Sequence, residues 1–133
     1  MKKETIIDNE YATLWYYPDA KIVHHQLHKY VYGENFRNVL LTGSQLLEKH
    51  GAYKWLSDDR GSAAVTKEDM KWAKEYWTPE TIRLGWRYWA IIVPKSVIGQ
   101  MAYTMMIEEL KKIGVEVKVF SDPESGLAWL TPL

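Results

Sequence analysis

Apolar and polar residues alternate in two segments near the start of the chain, a pattern that predicts two β-strands joined by a turn. The segments YATLWYY (11–17) and KIVHHQL (21–27) are rich in aromatic and β-branched residues. Between them lies Pro18-Asp19-Ala20, a turn-forming cluster. We therefore expect a β-hairpin.

After Gly33 the apolar residues recur at helical spacing, and a glycine suited to a C-cap follows His50. We expect an amphipathic helix here, followed by a short buried strand, YKWL (53–56). Thr66 with Asp69 three residues on resembles a capping box, and Thr78-Pro79 supplies a cap with proline at the first helical position. Two consecutive helices are therefore predicted, the second of which ends at Gly85.

The last third of the chain predicts two more strands and two more helices. YWAIIV (88–93) is a nearly continuous apolar run, as in a central strand covered on both faces. Ser96 caps a long helix that ends at Lys112, VEVKVF (115–120) forms a strand, and Asp122-Pro123 begins the last helix. The residues expected on the core-facing side of the long helix are Val97, Ile98, Met101, Met105 and Leu110.

Strands that alternate with helices predict an α/β fold with parallel strand pairing. We expect a single domain over residues 1–133, with a mixed sheet of about five strands that combines the N-terminal hairpin with parallel strands. About four to five helices pack on this sheet.

Composition narrows the classes of partner and the location of the protein. Seventeen basic and seventeen acidic side chains give zero net charge without blocks of like charge, which argues against binding to nucleic acid or to an anionic membrane. The chain has no cysteine, no apolar run near the roughly 18 residues of a membrane span, and no apolar signal-peptide core after its first residues. We expect a cytoplasmic protein.

The histidine-rich stretch HHQLH (24–28) does not predict a metal site. In a strand, His24 and His28 lie about 13 Å apart, too far to share one ion. The chain also lacks a phosphate-binding or dinucleotide-binding glycine motif. We therefore predict no metal, no cofactor and no catalytic residue.

A polar loop follows the predicted strand 53–56, at the carboxyl end where ligands gather in open α/β sheets. Two explanations remain open. The aspartates with a nearby serine suit a hard cation or a partner, whereas Arg60 can also pair with one aspartate and only order the loop. The residues of this candidate site are Ser57, Asp58, Asp59, Arg60 and Ser62.

Aromatic content and spacing support a family resemblance. The chain has seven tryptophans and nine tyrosines against two phenylalanines, a surplus that suits grooves and interfaces as well as cores. The segments KWLSDDR (54–60), VTKEDMKWAKEYWTPETIRLGWRYWAIIV (65–93) and GLAWL (126–130) resemble the SpoIIAA-like proteins, small bacterial proteins distantly related to STAS domains. The resemblance covers roughly residues 10–131. The shared positions are Trp55, Asp58, Arg60, Asp69, Trp72, Trp77, Pro79, Gly85, Ala90, Gln100 and Trp129.

The resemblance implies a STAS-like α/β sandwich without an assigned activity. In STAS antagonists a serine in the corresponding loop accepts phosphate and switches partner choice. Ser57 and Ser62 are the serines of that loop here, but the usual Asp-Ser-Ser-Gly pattern is missing. The loop is thus a candidate partner or phospho-regulatory site.

A similarity of this fold to lipid-binding domains of the Sec14 type implies a second possibility, an apolar groove between sheet and helices. The alternative is that the same aromatic and methionine side chains are core residues. The groove candidates are Trp72, Trp77, Trp86, Trp89, Met101 and Met105.

The expected function is non-enzymatic binding or regulation through a protein partner or a second copy in a homodimer. A carrier or sensor of a small apolar, lipid-like ligand is the alternative. An enzyme of unknown reaction ranks third.

Overall fold

A computed structural model describes the backbone of all 133 residues and every side chain except that of Ile98. Ile98, one of the predicted core-facing positions, therefore lies outside the described side chains. The strands in chain order are β1 (Glu4–Asp8), β2 (Ala12–Tyr17), β3 (Ile22–Leu27), β4 (Lys54–Asp58), β5 (Tyr88–Ile92) and β6 (Glu116–Val119). The helices are α1 (Glu34–His50), α2 (Lys67–Trp72), α3 (Thr78–Arg83), α4 (Val97–Lys112) and α5 (Pro123–Leu130).

The strands form one six-stranded mixed sheet whose spatial order, β1-β2-β3-β4-β5-β6, is also the order along the chain. β1, β2 and β3 pair antiparallel, and β3, β4, β5 and β6 pair parallel. The α/β class and the combination of a hairpin with parallel strands are confirmed. The expected count of about five strands was one too low, because the edge strand β1 is largely exposed and has only two apolar residues.

The helices divide between the two faces of the sheet. One hydrophobic cluster joins α1, the segment 67–83 and α4 to the face that carries Trp55 and Trp89. A smaller cluster joins α5 to the opposite face through Leu56, Ala90 and Leu130. Because side chains alternate along a strand, neighbouring residues of β3 and β4 point into different clusters.

Three of the predicted helix caps, Thr66, Ser96 and Asp122, are confirmed. The hydroxyl oxygen of Thr66 accepts a hydrogen bond from the Asp69 N–H at 3.1 Å, and that of Ser96 accepts one from the Gly99 N–H at 3.1 Å. Thr78 is not a cap: it is the first residue of α3, the N-cap position is Trp77, and no described side chain caps that helix. Asp69 does not complete a capping box either, because its carboxylate accepts hydrogen bonds from the Gly33 N–H and from Arg37.

A π-helical stretch, Ala73–Trp77, connects α2 directly to α3. The first of the two predicted helices thus changes from α-helical to π-helical hydrogen bonding before the second begins. Such π-helical turns often occur near functional sites.

The predicted core-facing side of α4 was wrong for three of its residues. Val97, Met101 and Met105 are 72%, 65% and 70% exposed, whereas Tyr103 and Leu110 are buried. The helix carries two apolar stripes, and the sequence alone does not tell which one faces the protein. The buried stripe begins with a tyrosine whose hydroxyl has a hydrogen-bond partner beneath it.

Gly43 allows α1 to approach the sheet closely. A Cβ atom at this position would lie 2.6 Å from Cζ2 of Trp55, inside van der Waals contact. Trp55 is fully buried in β4, so the indole ring occupies the space that a side chain on α1 would otherwise fill.

Candidate functional site

A cavity of about 980 Å³ lies between the sheet, α4 and the π-helical stretch Ala73–Trp77. Its walls are mainly apolar, and a few polar side chains of β3 and β4 lie at its floor. The apolar lining consists of Phe36, Leu40, Val65, Met70, Ala73, Trp77, Pro79, Trp89, Ala102, Met105, Met106, Leu110 and Ile113. A volume of this size and lining is typical of small-molecule sites.

Parallel pairing brings the polar floor together. His25 of β3 is in register with Ser57 of β4, and Asp59 follows two residues later on the same side. Asp59 accepts a hydrogen bond from His25 Nε2 at 2.7 Å and another from the Tyr103 hydroxyl. All four residues are at least 95% buried. The carboxylate thus joins β3, the end of β4 and α4 in one network.

The indole of Trp55 fixes the protonation of His25. Its Nε1–H donates to His25 Nδ1 at 3.0 Å, so that nitrogen carries a lone pair and no proton. The proton is therefore on Nε2, which donates it to Asp59. An imidazolium would direct a second N–H at the Trp55 N–H, and so His25 is neutral in this arrangement.

Tyr103 supplies the second hydrogen bond to Asp59 as a neutral phenol. Burial, and then the nearby Asp59 charge, raise the pKa of Tyr103 well above its ordinary value. Its hydroxyl therefore remains a donor throughout the neutral range. On the same floor, Trp89 Nε1 donates to the Ser57 hydroxyl oxygen at 2.8 Å.

The mouth of the cavity is charged and open to solvent. The exposed charged residues that line it are Lys71, Lys74, Glu75, Glu109 and Lys112. Lys74 Nζ and Glu109 Oε1 are 3.4 Å apart, so one exposed ion pair connects the two sides of the opening. Such a pair contributes little to stability and can separate at small cost in free energy.

The six predicted groove residues occupy different environments. Trp77 and Trp89 line the cavity from buried positions, and Met105 lines it although it lies on the exposed stripe of α4 and is 70% exposed. Trp86 is 1% exposed and packs between Trp77 and Trp89, with ring centroids 5.2 and 5.6 Å away, so it belongs to the core behind the wall. Trp72 lies outside, where the Arg37 guanidinium is 5.1 Å from its ring centroid. Met101, on the exposed stripe of α4, does not line the cavity either.

The residues of the predicted polar loop lie on opposite faces of the sheet. Ser57 and Asp59 belong to the cavity floor, but Asp58 points to the α5 face, where Arg60 binds both of its carboxylate oxygens at 2.9 and 2.8 Å. Arg60 Nη1 also donates to the carbonyl oxygen of Ser121, 3.4 Å away. The hydrogen bond between Arg60 and Asp58 raises the pKa of the Arg60 guanidinium. This pair joins the end of β4 to the segment before α5.

The two serines of the loop are buried. Ser57 and Ser62 are each 4% exposed, and the Ser62 hydroxyl donates to the carbonyl oxygen of Ala64 at 3.3 Å. A kinase would reach either hydroxyl only after the loop opened. Phospho-regulation of this loop stays a prediction.

The histidine-rich stretch lies in β3 and its following turn. His24 faces α5 while His25 faces the cavity, and His28 Nε2 is 2.7 Å from the Thr13 hydroxyl. Within the described part of the chain, no group of three or more His, Asp or Glu side chains is arranged to hold a metal ion.

Sequence reasoning missed His25 and Tyr103. The signal for His25 was available: in a parallel pair, alternation places it on the same face as Ser57 and Asp59 once the register is known. Tyr103 gave no comparable signal, because it lies 44 residues from its partner Asp59 on a helix whose inward stripe was misassigned.

A second hollow, of about 410 Å³, lies on the α5 face and is lined by Met1, Lys3, Tyr17, Glu124, Leu127, Ala128 and Thr131. It includes none of the residues proposed from the sequence as site residues. We therefore place the candidate site in the larger cavity, which contacts the buried network of Asp59.

No family model, curated protein or solved structure matches this chain. Among the described residues, no helix combines the length and apolarity needed to cross a membrane.

Proposed function

We propose that this protein binds a small, largely apolar molecule in the cavity beneath α4, as a carrier or a sensor. The observation that carries this proposal is the cavity of about 980 Å³ itself, with its apolar walls and its buried polar floor. Ligand sites typically combine such walls with a few well-placed polar groups that orient the bound molecule.

The position of the cavity supports the same function. Its floor lies at the carboxyl ends of parallel strands, the usual place for ligands in open α/β sheets. Its outer wall is the helix α4, which contributes Met105 and Met106. Methionine side chains adapt to ligands of different shape, as a carrier or sensor requires.

The test is binding of Nile red, a neutral dye whose fluorescence rises in apolar surroundings. We expect the wild-type protein to bind it and Met106→Trp, which fills the cavity with a larger side chain, to bind it at least about tenfold more weakly. The matched control is Met101→Trp on the exposed stripe of the same helix, which leaves the cavity unchanged.

Absence of dye binding to the wild-type protein would contradict the proposed function. Equal affinities of the wild-type protein and Met106→Trp would place the dye elsewhere and would also contradict it. Circular dichroism of both tryptophan variants checks that α4 remains helical.

A second candidate function is self-association. From the sequence we expected the broader function of binding a protein partner or a second copy of the chain. The exposed residues Val97, Met101 and Met105 are spaced four residues apart and form one apolar stripe along α4. The loop expected at the functional edge supports this function less, because Ser57, Asp58 and Asp59 are buried. Membership of the SpoIIAA-like family and the absence of enzymatic activity stay predictions.

A further inference from the structure

We infer that the molecule bound in this cavity is an organic cation: an amine whose ammonium group contacts Asp59 and whose apolar part fills the space between α4 and the sheet. This inference rests on the proposed function and specifies the chemical class of its ligand. It follows from the charges at the floor of the cavity.

Asp59 is a buried acidic group without a positive partner. Its side chain is 6% exposed, and its two hydrogen bonds come from His25 and Tyr103. Among the described side chains, no lysine or arginine forms an ion pair with it. A buried carboxylate in this situation is unfavourable unless a cation compensates its charge.

His25 does not supply that compensation. The N–H of Trp55 occupies Nδ1 of the imidazole, so the ring donates one proton to Asp59 and carries no charge. Tyr103 is a neutral phenol. The network thus orients the carboxylate and leaves its negative charge uncompensated.

The remaining hydrogen-bonding capacity of the floor fits an ammonium group. An ammonium has three N–H donors, and the floor offers acceptor oxygens on Asp59, Ser57 and Tyr103. Asp59 accepts two hydrogen bonds although its two oxygens have about four acceptor positions. The Ser57 oxygen accepts one bond, from Trp89, and retains a second lone pair.

The aromatic walls favour the same ligand. Phe36, Trp77 and Trp89 line the cavity, and the faces of such rings attract cations that have lost their water. A fatty-acid carboxylate would instead meet the negative charge of Asp59 in surroundings with little water to screen it. An alcohol would form hydrogen bonds without compensating the charge.

The test compares three ligands of equal chain length, octylammonium, octanol and octanoate, as competitors of Nile red at neutral pH. We expect octylammonium to displace the dye at about tenfold lower concentration than octanol, and octanoate to be the weakest competitor. In Asp59→Asn the advantage of octylammonium over octanol should disappear. Asp58→Asn is the matched control, because it removes the neighbouring carboxylate on the opposite face of the sheet.

The inference would be overturned if octylammonium and octanol displaced the dye equally well, or if octanoate displaced it best. Binding of Nile red by the wild-type protein would still support the proposed function in either case. Failure of all three ligands to displace bound dye would overturn it as well. An advantage of octylammonium that persisted in Asp59→Asn would assign the preference to another group and would also overturn it. The wild-type series decides the matter even if Asp59→Asn fails to fold.

Discussion

His24 and His25 are neighbours in the sequence, yet β3 directs their rings to opposite faces of the sheet. Both ring nitrogens of His25 have partners, Trp55 and Asp59. In His24 only one ring nitrogen has a partner among the described residues: Nδ1 lies 2.9 Å from the Tyr17 hydroxyl. The other nitrogen, Nε2, is buried and has no hydrogen-bond partner among the described residues. Alternation along a strand predicts the opposite directions. The partners depend on tertiary packing, which the sequence does not display.

We expect the folded protein to lose stability as the pH falls below about 6.5, because His24 resists protonation. Burial is the main cause that lowers the pKa of His24 to about 3. Between these pH values the unfolded chain binds a proton that the folded chain does not, so acid favours unfolding. One such group reduces the free energy of unfolding by about 2 kcal/mol between pH 7 and pH 5.

Urea unfolding at pH 7 and pH 5 measures this effect. The variant His24→Phe, which has no group to titrate at this position, should lose less stability over this interval than the wild-type protein. Equal losses in the wild-type protein and in His24→Phe would show that other groups cause the acid sensitivity.

Packing of α1 against the sheet depends on one small residue in the middle of a helix. Elsewhere in a helix, replacing glycine by alanine stabilises a protein by about 1 kcal/mol. At Gly43 the new methyl group would meet the Trp55 ring, which is fixed by its hydrogen bond to His25. Helix propensity and packing therefore make opposite predictions for this position.

We expect packing to prevail, so that Gly43→Ala lowers the free energy of unfolding by about 1–3 kcal/mol. Chemical denaturation measures the change, and Gln45→Ala, at an exposed position of α1, is the control that should alter stability little. A stabilised Gly43→Ala protein would indicate that α1 shifts outward easily and that the contact with Trp55 imposes no constraint.

At the scale of the whole molecule, zero net charge and the exposed stripe of α4 favour weak self-association. The stripe consists of three exposed apolar side chains, whereas a stable interface buries roughly 800 Å² per partner, so we expect a dimer that forms only at high concentration. Sedimentation velocity over a range of concentrations should detect it. The double variant Val97→Glu, Met101→Glu should remain monomeric.

The control for this prediction is the double variant Gln100→Glu, Thr104→Glu, which adds the same charge on exposed polar positions of α4. Its association should weaken less than that of the first variant. A wild-type protein that is monomeric at all concentrations, or a dimer that both variants weaken equally, would contradict association through the stripe.

The sequence predicted most of the fold and about half of the candidate site. Strands, helices and most caps depend on local patterns, and these identified every strand and α-helix except the polar edge strand β1. The π-helical hydrogen bonding of Ala73–Trp77 was not predicted. Trp77, Trp89 and Met105 were proposed for an apolar groove, Ser57 and Asp59 for a polar loop, and all five line the cavity. The rest depended on distant pairing: Tyr103 meets Asp59 only because α4 turns one of its two apolar stripes inward.

The order of the strands has a consequence for synthesis of the protein. Because each strand is the spatial neighbour of the strand made before it, the sheet can grow from one edge as the chain leaves the ribosome. No later strand has to insert between two that have already paired. The last helix, α5, then covers the second face after the sixth strand has been added. Translation from the N-terminus can therefore build this domain in the order in which its parts are encoded.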